Sequence, residues 1–211
     1  MHEPVDFPPE PWHLTGDMVV SLWRVPPDDL PRWRLPPTAR PLIVRRRCTL
    51  LTFWVDYRPD GVLAYREFLI ALAVRHERRL MGSTVAAWVD DERALAGGRA
   101  LWGIPKQLGE LTLRTGRGGT QGRLAGEGVP AVSVGFRDGP RLPCRLRARA
   151  QLVQQRPDGT TCRVPVRISG RPSTGRARTA AEPSSPLSFL NDHRPRLSIA
   201  VRGFRGTVGG H

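Results

Sequence analysis

Apolar and polar residues alternate most regularly in the C-terminal half of the chain. Cys144, Leu146, Ala148, Ala150 and Leu152 alternate with Arg145, Arg147, Arg149 and Gln151. After the turn Arg156–Thr160, Cys162, Val164, Val166 and Ile168 alternate with Arg163, Pro165 and Arg167. A period of two places each set on one side of an extended chain, so the two runs predict a hairpin with one apolar and one arginine-lined face. The arginine face reads as a solvated sheet face, with an anion-binding surface as the alternative. Further strands are predicted at Met18–Val25, Thr49–Tyr57, Val62–Arg75, Ser83–Val89, Leu108–Thr115 and Leu197–Val201. The Gly116–Gly119 cluster reads as a turn between strands.

One stretch has helical character. Asp90 or Asp91 can cap a helix start, acid follows in the first turn, and the helix should end by Gly103. Pro105 forces Ile104 out of the helical region, so Lys106 is expected just beyond a helix end, at a stiff turn into a strand. Many strands and few short helices predict an α+β, mostly antiparallel β fold. The 211 residues fit one domain, 1–211. Within it, the proline- and tryptophan-rich residues 1–40 are expected as an extended arm, and the Ser, Thr, Pro and Gly of residues 170–187 as a flexible loop.

Charge changes the picture in one respect. The net charge is +14, yet only one of the 33 Lys+Arg residues is a lysine. A phosphate-binding surface has no physical reason to refuse lysine, so dispersed arginine argues against nucleic acid as the partner and reads as a coding bias. Against that bias the lone amine stands out. An amine can lose its proton and attack a carbonyl, whereas a guanidinium stays protonated. Cys48, Cys144 and Cys162 show no Cys-x-x-Cys spacing and are expected to be buried, reduced thiols of a cytoplasmic protein. No apolar run approaches the roughly 18–20 residues that cross a bilayer, and the N-terminus lacks the features of a signal peptide. The five histidines have no metal-ligand spacing, no Gly-x-Ser-x-Gly elbow occurs, and no phosphate loop follows the glycine cluster.

Gly98-Arg99, Trp102-Gly103-Ile104-Pro105-Lys106 and Leu108-Gly109 together resemble the lysine signature of the acetoacetate decarboxylase family. The resemblance extends over most of residues 12–205 and implies a cone-like β-barrel with few short helices, usually in a homo-oligomer. It implies that Lys106 forms a Schiff base with a ketone or keto acid, without a cofactor or metal. Tyr65-Arg66-Glu67 matches the family's Tyr-x-Glu, which makes Glu67 the proton-shuttling carboxylate. Tyr65, Arg99, Trp102 and Gln107 are then the expected substrate-binding residues.

Several positions depart from the family pattern. The second lysine that follows the family's nucleophile is Gln107 here, so activation falls to desolvation among Trp102, Ile104 and other apolar neighbours. The family's carboxylate-holding arginine aligns near Gly16, leaving Arg24 or Arg45 to serve. The carboxylate after Gly-Arg is replaced by Ala100, and the family's early glutamate falls near Thr52 or Phe53. Imine formation survives these departures better than decarboxylation does, and aldol- or dehydration-type chemistry in secondary metabolism is an alternative outcome. A non-catalytic small-molecule binding protein of the same family is the second reading, and an arginine-rich nucleic-acid-binding domain the third.

Overall fold

The computed structural model describes residues 5–210; Met1–Pro4 at the start of the expected arm, and His2 and His211 among the histidines, lie outside the described residues. The strands are β1 (Trp12–Val25), β2 (Ala39–Pro41), β3 (Ile43–Val44), β4 (Arg47–Tyr57), β5 (Arg66–His76) and β6 (Arg79–Val89). Helix α1 (Glu92–Trp102) leads to β7 (Lys106–Leu108), β8 (Glu110–Gly116), β9 (Gly119–Ala125), β10 (Val132–Arg141), β11 (Leu146–Gln155) and β12 (Thr161–Ala181). The short helix α2 (Phe189–Asp192) precedes β13 (Leu197–Val208). This is the mostly antiparallel α+β architecture that the patterning predicts.

All thirteen strands belong to one sheet, in the order β11-β6-β5-β4-β1-β13-β12-β10-β9-β8, with β2, β3 and β7 paired at its side. Strand β11 pairs antiparallel with β12 and also meets β6 through a parallel bridge, Leu152 to Gly82. The path from β6 through β5, β4, β1, β13 and β12 to β11 therefore returns on itself as a ring.

The central strands are apolar on both faces because each face meets a different core. Val19, Trp23, Leu50, Trp54, Phe68 and Ile70 point to a core that includes Leu111, Leu124, Val134 and Phe136 of β8–β10. The alternate residues Met18, Val55 and Val89 meet a second core with Trp12, Tyr65, Trp102 and Val164. A strand buried on both sides loses the polar alternation that makes a half-exposed strand easy to recognise.

Four expectations change. Residues 12–25 of the expected arm form a long strand between β4 and β13, because the prolines that forbid a helix bound an extended segment without interrupting it. Residues 170–181 of the expected loop are the second half of β12, which pairs with β13 as far as Gly175 and with β10 from Ser173 to Ala181. Gly175 has a packing role there: a Cβ on it would overlap the Phe136 ring. The strand expected from Val62 begins only at Arg66. Finally, Cys48 and Cys162 are buried, but Cys144 is exposed. Burial pushes the Cys48 and Cys162 thiols up, away from the reactive thiolate.

Candidate active site

The turn that presents Lys106 is built by its neighbours. Asp91 caps α1 by accepting a 2.7 Å hydrogen bond from the Ala94 amide. The helix closes at Gly103, whose φ of +66° is the left-handed conformation that favours glycine. Its amide donates to the Arg99 carbonyl at 3.0 Å, and the Ile104 amide to the Gly98 carbonyl at 3.1 Å. Pro105 then prevents another turn, and Lys106–Leu108 run parallel beside Ala87–Val89. Arg99 Nε donates to the Lys106 carbonyl at 2.7 Å, which anchors the start of this strand. Gly98 leaves the space through which the lysine passes: a Cβ there would lie 2.6 Å from Lys106 Cδ and 2.7 Å from Cε.

Lys106 is 2% exposed and Glu67 3%. Lys106 Nζ lies 3.0 Å from Glu67 Oε1. It also donates to the Tyr65 hydroxyl at 3.3 Å. The Tyr57 hydroxyl donates to Glu67 Oε2 at 3.0 Å, so both carboxylate oxygens are engaged. Tyr57 and Tyr65 pack ring against ring, with centroids 4.4 Å apart. Burial, and then the Glu67 charge, pushes both phenols well above their ordinary range. They therefore act as neutral hydrogen-bonding groups. The amine also faces the Tyr65 ring at 4.9 Å and the Trp12 ring at 5.8 Å. Two opposite charges this deeply buried are tenable only as a pair. In chemical terms, the site is an amine with a proton acceptor at contact distance.

The sequence expectations divide on this geometry. Lys106, Glu67 and Tyr65 converge. Arg99 works through the backbone of Lys106 rather than in the site. Trp102 lies behind it, donating to Glu10 Oε2 at 2.9 Å and meeting Trp12 edge-on at 4.8 Å. Gln107, one residue further along a strand, faces away from Lys106 and is exposed. Arg45 is exposed in the β3–β4 turn. Arg24 donates to the Val44 carbonyl, and six residues of strand, roughly 20 Å, separate it from Met18 beside the site. Neither arginine can hold the carboxylate of a small substrate at Lys106. Thr52 points to the opposite core and accepts from Trp23 Nε1 at 3.0 Å. Tyr57 and Trp12 were not singled out from the sequence, and Gly98 only as part of the lysine signature. A signal existed for Tyr57, one of only two tyrosines in the chain.

The chain is similar in sequence and in fold to several known proteins. The acetoacetate decarboxylase (ADC) family model matches residues 2–174. An acetoacetate decarboxylase of Burkholderia cenocepacia (strain HI2424) is 32% identical over 108 residues, which is 51% of this chain and 42% of that relative. The acetoacetate decarboxylase of Burkholderia orbicola (strain MC0-3) matches to the same extent. The chain thus matches less than half the length of these curated relatives.

Among solved structures, an acetoacetate decarboxylase-like enzyme from Sphingomonas wittichii RW1 superposes with a TM-score of 0.71 at 19% identity, covering 98% of this chain and 92% of that one. The enduracididine biosynthesis enzyme MppR has a TM-score of 0.68 at 22% identity, covering 97% and 87%. The acetoacetate decarboxylase of Legionella pneumophila has a TM-score of 0.65 at 18% identity, covering 96% and 86%. At these identities the superpositions establish the shared fold. With the family model matching most of its length, the chain belongs to the acetoacetate decarboxylase family.

Proposed function

We propose that this protein is an enzyme that forms an imine between Lys106 and the carbonyl of a ketone or keto acid. The observation that carries the reading is the buried contact of 3.0 Å between Nζ of the only lysine and Glu67 Oε1. Glu67 takes a proton from the amine, and the freed nitrogen lone pair adds to the carbonyl carbon. One of the two protons left on the nitrogen passes to the carbonyl oxygen, which becomes the hydroxyl of a neutral carbinolamine. Glu67 then returns its proton to that hydroxyl, which leaves as water while the C=N bond forms. The neutral Tyr57 holds Glu67 in place, and the Tyr65 hydroxyl steadies the nitrogen. The resulting iminium accepts an electron pair from the adjacent carbon, as CO2 leaves, a proton leaves or a carbon–carbon bond breaks.

Family membership supports decarboxylase-like chemistry. The positions of Arg24, Arg45 and Gln107 favour a second outcome, aldol- or dehydration-type chemistry on a substrate that needs no carboxylate clamp at the reacting end. The enduracididine biosynthesis enzyme MppR has been solved complexed with pyruvate, a carbonyl compound, and a carbonyl substrate of some kind is proposed for this chain.

The test is reductive trapping. Incubation with a panel of small ketones and keto acids, followed by borohydride, should add the reduced substrate's mass to the intact chain. Peptide mapping should place the adduct at Lys106, and Lys106→Arg should abolish it. Absence of an adduct across the panel would sink the reading.

A further inference from the structure

The sheet face that carries Glu67 continues well past the reacting groups. Glu67 stands in register with Val55, Met18 and Val201, and all four are buried. One rung further, Leu69, Phe53, Val20 and Ile199 stand in register across the same four strands, and each is only half-buried. On the next rung Leu51 and Leu22 are half-buried, and Leu197 is 53% exposed. The residues between them on the same strands, including Ile70, Trp54 and Val19, are fully covered by the other core.

An apolar face that opens progressively to solvent is unusual in an isolated chain. Leu69, Phe53, Val20 and Ile199 all pack on the core that surrounds Lys106, as do Leu152 of β11 and Ile168 of β12 from the far side of the ring. The two half-open rungs thus continue the apolar surroundings of Lys106. Beyond Glu67 these two rungs hold no charged side chain. They extend roughly 13 Å at two residues per rung.

We propose that this face seats the uncharged apolar tail of the substrate, with the carbonyl directed to Lys106. The proposal rests on the imine-forming reading for its reaction, and the seat itself rests on the apolar rungs. It identifies the substrate as a carbonyl compound with an alkyl or comparable apolar chain, in contrast to a small dianion or short keto acid. Leu69 and Phe53, nearest the reacting groups, set the fit of the first carbons, and Leu51 and Leu22 meet the end of the chain.

The test compares the whole protein with ethyl, butyl and hexyl methyl ketone and with acetoacetate, reading the half-saturating concentration for borohydride trapping at Lys106. The matching secondary alcohols, which cannot form an imine, are measured in parallel by calorimetry. Each methylene that becomes fully buried improves binding by up to about fourfold, so a partly covered tail should gain at least about tenfold from ethyl to hexyl. The alcohols should follow the same slope, and Leu69→Asn should flatten it. A steep alcohol series without adducts would remove the imine reading and support the apolar seat. Adducts with a flat series, or with acetoacetate preferred, would overturn the seat and leave the imine reading standing. A flat series from a dimer that Leu197→Arg dissociates would assign the face to a second copy and likewise overturn it.

Discussion

Inside the ring, one lysine and one glutamate lie 3.0 Å apart and are almost completely enclosed. On the surface over β1, β13, β12 and β11, the exposed Arg145, Arg147, Arg149, Arg167 and Arg205 line an open groove of about 860 Å³. Neighbouring arginines are tolerated there because water and salt screen them, and few need a specific partner. The interior offers no such screening, so a single amine must be matched by a carboxylate and framed by aromatic rings. The same chain thus uses guanidinium where charge is cheap to hold and an amine where charge must be able to change.

The strongest way to break that contrast is to remove the interior counter-charge. Glu67→Gln leaves Lys106 buried without an anion and removes the proton acceptor. Chemical denaturation should show a loss of about 3 kcal/mol, the low end for breaking a buried pair, since an amine can discharge. Imine trapping should slow by at least about a hundredfold, as expected for loss of a general base.

Gly98→Ala should come next. Alanine favours the helix by about 1 kcal/mol, but overpacking a filled core costs about 1–3 kcal/mol. The new methyl would press on a lysine chain whose end is already held by Glu67. A small net loss of stability and about a tenfold fall in trapping rate are expected; unchanged trapping would show that the lysine has room to shift.

A subtler interior effect concerns the tyrosines. Tyr57 and Tyr65 are the only two in the chain, so tyrosinate absorbance near 295 nm reports on them alone. Because folding raises both pKa values, their stabilising contribution is complete below the ordinary phenol pKa of about 10 and is lost as pH rises above it. The absorbance should therefore appear only well above pH 10, together with unfolding. Titration at the ordinary value with the fold intact would place the rings in contact with water.

The smallest effect is expected on the surface. Arg147→Gln combined with Arg149→Gln should change stability by less than about 0.5 kcal/mol and leave trapping at Lys106 unaltered.

Part of this arrangement was legible before the fold was known. Asp91, Gly103 and Pro105 mark the helix start, its end and the turn by local backbone chemistry, and that chemistry operates in the same way in any tertiary setting. The alternation from Cys144 to Ile168 likewise declares its strands. By contrast, Trp12–Val25 and residues 170–181 have compositions that suggest an arm and a loop, and only pairing with neighbouring strands makes them sheet. Arg99, Trp102 and Gln107 lie in the right segment, but their directions depend on strand alternation and on what packs against each face. Sequence spacing does not carry that information.

The sequence by itself determined that one amine stands among many guanidiniums, and that it follows a helix end held by a glycine and a proline. Tertiary structure alone decided that this amine is enclosed, that Glu67 and Tyr65 meet it from about forty residues away, and that Tyr57 completes the group. It also decided that the apolar rungs of β5, β4, β1 and β13 lie open on the same side. The physical reason is the range of the forces. Caps, turns and alternation act over a few residues, whereas burial and ion pairing depend on which distant segments the ring brings together.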